Sequence, residues 1–281
     1  MIKKIIGIFI VGIFLFTSIA NELGLSKENK KEDFSFTHTV FIEECTASWC
    51  PNCPIASEAL HNIFNSGDYP FYYVTLVDDK NPVAKNRNRD YSFGLFKIYA
   101  FPTMYFDCGY LNMVGRNENI TDTELEYRTL IEQTGLRIPK QELSIDSYIT
   151  WEGNAKLSVK IKVTNQGNFL YFGKIRSYVT EVESRWVDES GEPYHFGFLD
   201  YAINKFVFLM PRETKNFTGI FDGKISHLGK IYPDIEPDNI MVISTISHWL
   251  PHYKLGYQSD QYTQRYFAFY TDQTSAAAPI L

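Results

Sequence analysis

The residues best placed to do chemistry are Cys50 and Cys53, with Pro51 and Asn52 between them. Two thiols three positions apart can close into a disulfide. The first can attack a partner's disulfide while the second resolves the adduct, provided the attacking group is a thiolate. The helical pattern that starts at Pro54 puts Cys50 at a helix N-terminus, where unpaired N–H groups and the positive dipole end lower a thiol's pKa. Cys45 and Cys108 complete a set of four cysteines, too few for a disulfide-dense mini-scaffold. Cys45, Cys50 and Cys53 with a distant fourth thiol also match the spacing of a plant-type 2Fe–2S ligand set, and a four-thiolate zinc site has the same ingredients. Pro51 and Pro54 count against both, because a cluster-binding loop needs backbone N–H groups free to donate to sulfur.

The elements around the motif alternate between strand and helix patterns from Thr37 to about Arg137. Thr39–Ile42 is a short apolar run that reads as a buried strand. Ile55, Ala59, Leu60, Ile63 and Phe64 share one helical face over Pro54–Phe64. Phe71–Val77 is β-branched and aromatic, a second strand. Pro82–Phe96 is expected to be helical in part, Thr103–Phe106 a third strand, and Tyr110–Val114 a fourth. Thr121 and Glu124 form a capping-box signature opening a last helix that Gly135 can end. Within the first strand, Glu43 and Glu44 point to opposite faces, so at most one of them can face the motif. A carboxylate buried there has a raised pKa suited to proton transfer.

Trp49-Cys50-Pro51-Asn52-Cys53, the Asp78–Pro82 loop, Phe101-Pro102-Thr103 and Gly115 before a capped helix together resemble the thioredoxin superfamily. The likeness covers about Thr37 to Leu136. It implies a thioredoxin-like α/β fold and a redox-active Cys50–Cys53 pair. It also implies a cis Pro102 facing Cys50, with Phe101 and Pro102 binding an extended substrate segment and Trp49 packed beside the motif. Glu44, six residues before Cys50, stands where the family commonly has the buried acid that accepts the second cysteine's proton; Glu in place of the commoner Asp is a departure. On that fold Cys45 faces the Met104 region and Cys108 the Phe41 region, several residues out of step. Their separation exceeds the ~4.4–6.8 Å between Cα atoms of a disulfide, so both are expected to be unpaired and semi-buried.

After Pro139 the texture changes. Leu157, Val159, Ile161 and Val163 alternate with polar residues, as in a half-buried strand. The segments 175–182, 206–210, 215–221, 240–246 and 262–269 also read as strands, separated by Gly, Pro, Asn and Asp clusters. The pattern predicts an all-β sandwich, immunoglobulin- or fibronectin-III-like, over 139–272 after a thioredoxin-like domain over 37–138, with a tail over 273–281. His248 and His252 are four apart, but Pro251 spoils a helix between them and no metal is expected there. His61 is expected at the surface. Asn119 and Asn216 open glycosylation sequons.

Residues 1–20 have the parts of a secretory signal: Lys3 and Lys4, an apolar run from Ile5 to Phe16, and small residues up to Ala20. Left uncleaved, residues 5–20 would tether the chain to a membrane. Residues 21–36 read as a polar linker. The 281-residue chain carries 27 Lys and Arg against 33 Asp and Glu, a net charge of −6, and loss of the signal would make it two charges more negative. That balance argues against nucleic acid as the main partner. The expected protein is an extracytoplasmic thiol–disulfide oxidoreductase, without cofactor, acting on protein thiols or disulfides with an unidentified redox partner. The alternative is a cell-surface or envelope binding protein in which the sandwich is functional and Cys50–Cys53 is a structural bond. Metal or Fe–S binding is the third reading.

Overall fold

A computed structural model describes residues 35–91, 100–256 and 264–281. The expected signal or anchor over 1–20 and the linker through residue 34 lie outside the described residues, as do the last five residues (92–96) of Pro82–Phe96 and Tyr262 and Thr263 of the last expected strand. Residues from Ser35 to Leu281 group into one compact unit.

The first half runs β1 (Val40–Thr46), α1 (Cys53–Ser66), β2 (Phe71–Val77), α2 (Pro82–Arg89), β3 (Thr103–Phe106), β4 (Leu111–Val114) and α3 (Ile120–Gly135). β1 pairs in parallel with β2 and antiparallel with β3, and β3 pairs antiparallel with β4. β1 is buried along its whole length, as expected of a strand covered on both faces. The capping-box expectation is corrected: Asn119, not Thr121, caps α3 by accepting from Asp122 N at 2.9 Å. Nor does Gly135 end α3 through a left-handed turn. It is the last helical residue, and a Cβ there would meet the Phe36 ring at 2.0 Å, so glycine is required for close packing.

Among the described residues, the regular structure of the second half is strand apart from a three-residue 3-10 turn. It comprises β5 (Leu143–Gly153), β6 (Lys156–Asn165), β7 (Tyr171–Val187), β8 (Pro193–Leu209), β9 (Thr214–Asp222), β10 (Ile240–His248), β11 (His252–Gly256), β12 (Gln264–Ala268) and β13 (Thr271–Ala277). β5, β6 and β9 form a three-stranded sheet and β11 and β12 a ribbon. The remaining strands join the first half in one eight-stranded mixed sheet, ordered β13-β10-β7-β8-β2-β1-β3-β4. The described protein is therefore mostly β, built on a large mixed sheet with three α-helices. The small sheet shares a core with one end of the large one, where Ile149, Val159 and Ile161 pack with Ile175, Val179, Leu199 and Val242.

The Pro139 junction is crossed by a continuous sheet. The seam is narrow: β2 and β8 share a single parallel pair, Thr75 with Gly197. Asn81 reinforces it, its side-chain oxygen capping α2 while its amide donates to Phe198 O and, at 2.9 Å, to Leu199 O. Tyr178, Phe196 and Phe198 from the second half pack in the same core as Phe41, Val74 and Tyr105. Residues 273–281, read as a tail, carry most of β13, and Ile280 N donates to Ile149 O at 2.9 Å. Arg137, just before the junction, donates to Asp107 Oδ2 at 2.9 Å and to Thr271 O. Asp107 also lies 2.5 Å from His38 Nε2.

Glu43 and Glu44 are both buried, on opposite faces of β1. Glu43, on the face away from Glu44, receives two N–H bonds from Arg87 of α2, at 2.7 and 2.6 Å. It also receives bonds from Tyr91 and, at 2.9 Å, from Tyr178 of β7. Burial pushes its carboxyl up, but the Arg87 guanidinium and these hydrogen bonds hold it below the usual range. Arg87→Leu would strand that carboxylate in the core and should cost about 3–5 kcal/mol in denaturant unfolding. Truncating Lys162, whose pair with Asp146 at 3.5 Å is half-exposed, should cost less than about 1 kcal/mol in the same measurement.

Candidate functional site

β1 delivers the chain to a turn, Ala47–Asn52, that leads into α1. Cys50 N donates to Ala47 O at 3.0 Å and Cys53 N to Cys50 O at 3.2 Å. Asp79, in the loop after β2, accepts from Ser48 N at 2.9 Å and Ser48 Oγ at 2.6 Å. From the opposite half, Tyr194 of β8 donates to Ala47 O at 3.2 Å and lies 3.1 Å from Thr46 Oγ1. Burial raises the Tyr194 phenol's pKa, so it remains a neutral donor.

Cys50 and Cys53 are joined in a disulfide with their Cα atoms 5.4 Å apart. α1 begins at Cys53, one residue before the expected pattern, with Asn52 as N-cap and Pro54 in the first turn, so Cys50 lies two residues before the cap rather than at the helix N-terminus itself. Cys50 therefore occupies the turn entering the helix. The first turn contains no acidic side chain to offset the helix dipole. Cys50 is 2% exposed and Cys53 0%, and with Ala47 and the partly buried Phe101 they form a small apolar cluster. The Phe101–Pro102 peptide is cis, and Pro102 O accepts from Gly115 N at 2.8 Å. Trp49 is 63% exposed, with its ring edge-on to Phe101 at 6.1 Å.

Glu44 accepts from Ser57 Oγ, one turn along α1 from Cys53, and lies 2.8 Å from Thr75 Oγ1. Burial pushes its carboxyl up to about 7, against the lowering effect of the Ser57 and Thr75 hydrogen bonds; Asp188 adds repulsion. Thr75 Oγ1 also lies 2.7 Å from His195 O. A hydroxyl has one proton, and a backbone carbonyl only accepts. Both contacts are satisfied when Glu44 is protonated: its O–H donates to Thr75, which donates to His195 O. Glu44 lines a cavity of about 460 Å³ together with Ser57, His61, Asp188, Tyr194 and His195. His61 is half-buried rather than superficial. Its ring stacks on His195 at 3.4 Å, and Nδ1 lies 2.9 Å from Tyr73 Oη. Burial and the neighbouring His195 bring His61 down to about 4.

The other motifs fall elsewhere. Cys45 and Cys108 are free, buried thiols. Cys45 faces Thr103 in the β1–β3 ladder. Cys108 has left β3 for a left-handed turn, where its sulfur accepts from Thr271 Oγ1 at 3.2 Å. This separation of the two matches the register argument. His248 and His252 do meet, Nε2 to Nε2 at 2.9 Å, and His248 Nδ1 lies 3.0 Å from Asp272 Oδ2. Among the described residues no group of three or more His, Cys, Asp or Glu could hold a metal. Asn216 is exposed on β9, whereas the Asn119 amide donates to Asp122 at 2.8 Å. Sequence reasoning missed Thr75, Asp188, Tyr194 and His195. The last three belong to a β7–β8 hairpin with no local link to the motif.

A carboxyl raised from 4.5 to about 7 makes the folded chain bind more protons than the unfolded chain between those values, so stability falls as pH rises through that window. Denaturant titrations from pH 4.5 to 7.5 should show a loss of roughly 3 kcal/mol from this group. Glu44→Gln should flatten that part of the profile; an unchanged slope would place the titration elsewhere.

No family model and no curated protein matches the sequence. Among solved structures, HBP35 of Porphyromonas gingivalis overlays with a TM-score of 0.59 at 13% identity, covering 87% of this chain and 76% of that one. An Agrobacterium tumefaciens protein gives 0.39 at 13% identity, covering 86% and 94%. A Kluyveromyces marxianus beta-glucosidase gives 0.28 at 13%, covering 58% and 17%. The last two overlay too loosely to inform the fold; the chain shares its overall architecture with HBP35.

Proposed function

We propose that this chain is a thioredoxin-like thiol–disulfide oxidoreductase that works outside the cytoplasm on protein thiols or disulfides. The observation that carries the reading is the Cys50–Cys53 disulfide at the entrance of α1. Its setting supports it. The order β2-β1-β3-β4 with α1 between two parallel strands is that expected of the superfamily, and the cis Phe101–Pro102 loop abuts the cysteines.

In the reducing direction, the Cys50 thiolate attacks one sulfur of a substrate disulfide, forming a mixed disulfide and expelling the other sulfur as a thiolate. Cys53 gives its proton to Glu44 and attacks Cys50, releasing the second substrate thiolate and closing the disulfide. Two electrons pass to the substrate, and an external dithiol restores the pair; oxidation is the same sequence reversed. Glu44 suits the proton's destination, because a group near 7 exchanges protons readily at neutral pH. The exposed Trp49 and the partly buried Phe101 offer the apolar surface on which a substrate segment would rest.

One observation favours the second reading, a binding protein with a structural bond: both sulfurs belong to nearly inaccessible residues. Trapping separates the two. Cys53→Ser should accumulate mixed disulfides through Cys50, whereas Cys50→Ser should capture few. Equal capture by both variants would reverse the roles. A reduction potential far below about −300 mV with no reduction of a model protein disulfide would leave the bond structural.

A further inference from the structure

We infer that the chain has a second ligand site, a small pocket that binds an organic anion with a flat apolar body. The pocket, of about 240 Å³, is lined by the cations Arg87, Lys174 and Arg176 and by rings including Phe206, Trp249 and Phe269. β7 alternates faces, so Ile175 and Val179 go to the core beneath the small sheet while Lys174, Arg176 and Tyr178 project to the other face. Phe206 of β8 stands opposite Lys174 in the ladder, and the Lys174 ammonium lies 5.6 Å from the Phe206 ring centre.

The charges at this pocket are unbalanced. Glu43 is taken up by Arg87, Tyr91 and Tyr178, and the exposed Asp90 accepts from Arg87 at 3.2 Å. No carboxylate among the described residues forms an ion pair with Arg176 or Lys174. His248 also lines the pocket, with Nδ1 beside Asp272 and Nε2 beside His252. Arg176 is only 5% exposed, and its Nη1 is buried without a hydrogen-bond partner. Opposite it on β10, the Thr245 hydroxyl is also buried and unpartnered. A buried guanidinium with an unused N–H is costly unless an anion meets it. Its planar fork suits the two oxygens of a carboxylate or phosphate.

The rings define the remainder of the ligand. Phe172 stacks with Phe206 at 5.8 Å and meets Trp249 at 5.5 Å, making an aromatic rim beside the cations. The pocket's size restricts the occupant to about one ring with its acidic head. The reading is independent of the redox proposal, since none of these residues belongs to the cysteine site.

The test titrates the full chain with phenylphosphate, phenylacetate, inorganic phosphate and neutral benzyl alcohol, by calorimetry and by ligand-induced shifts in Tm. At least one of the two aromatic anions should bind saturably, and the stronger identifies the head group. It should bind about tenfold or more tightly than inorganic phosphate or the alcohol. Arg176→Gln should abolish binding, and Lys174→Met, at a half-buried position, should weaken it about tenfold while the fold persists. Absence of saturable binding up to about 10 mM, equal binding of phosphate or benzyl alcohol, or full affinity in Lys174→Met would overturn the assignment.

Discussion

The buried Glu43–Arg87 pair is the interaction on which the arrangement of the two halves most depends. It joins β1, α2 and, through Tyr178, β7 at the centre of a shared core. A carboxylate taken out of water must recover its lost solvation from protein donors. Here it receives them from Arg87, Tyr91 and Tyr178. The requirement couples the position of the second half to the strand that delivers the cysteine motif. A well-packed apolar group could supply cohesion, whereas directional bonds also specify which β7 residue must face β1.

The same strand supplies the opposite chemistry one residue later. Glu43 is held below the usual carboxylate range and Glu44 is raised to about 7, though both are buried. The difference lies in the partners: a guanidinium for one, two hydroxyls and a nearby acid for the other. Strand alternation makes this division possible, because adjacent residues face separate environments.

Local features were legible in the sequence. Phe71–Val77 and Thr103–Phe106 are strands over the same residues that their apolar, β-branched character predicts. The cis Phe101–Pro102 bond and the free Cys45 and Cys108 also agree with expectation. Nonlocal features were not legible. The first half of β8 contains His195, Gly197 and Asp200, which interrupt apolar periodicity, yet it pairs with both β7 and β2. Tyr194 reaches the cysteine turn across 147 residues of sequence, a closure that no spacing rule encodes. Asn119 rather than Thr121 caps α3, through a local bond from Asp122 N, in line with the stronger N-cap preference of Asn over Thr.

The seam between β2 and β8 has a consequence beyond holding the sheet together. The Thr75 side chain stands at the single residue pair that joins these strands, between the Glu44 carboxyl and the His195 carbonyl. When Glu44 loses its proton, Thr75 can serve the carboxylate or the carbonyl, not both. Proton occupancy at Glu44 and cohesion of the two halves are therefore linked quantities, each favouring the other by the same free energy. A proton arriving at Glu44 is felt as a tightening of the contact that carries the rest of the molecule.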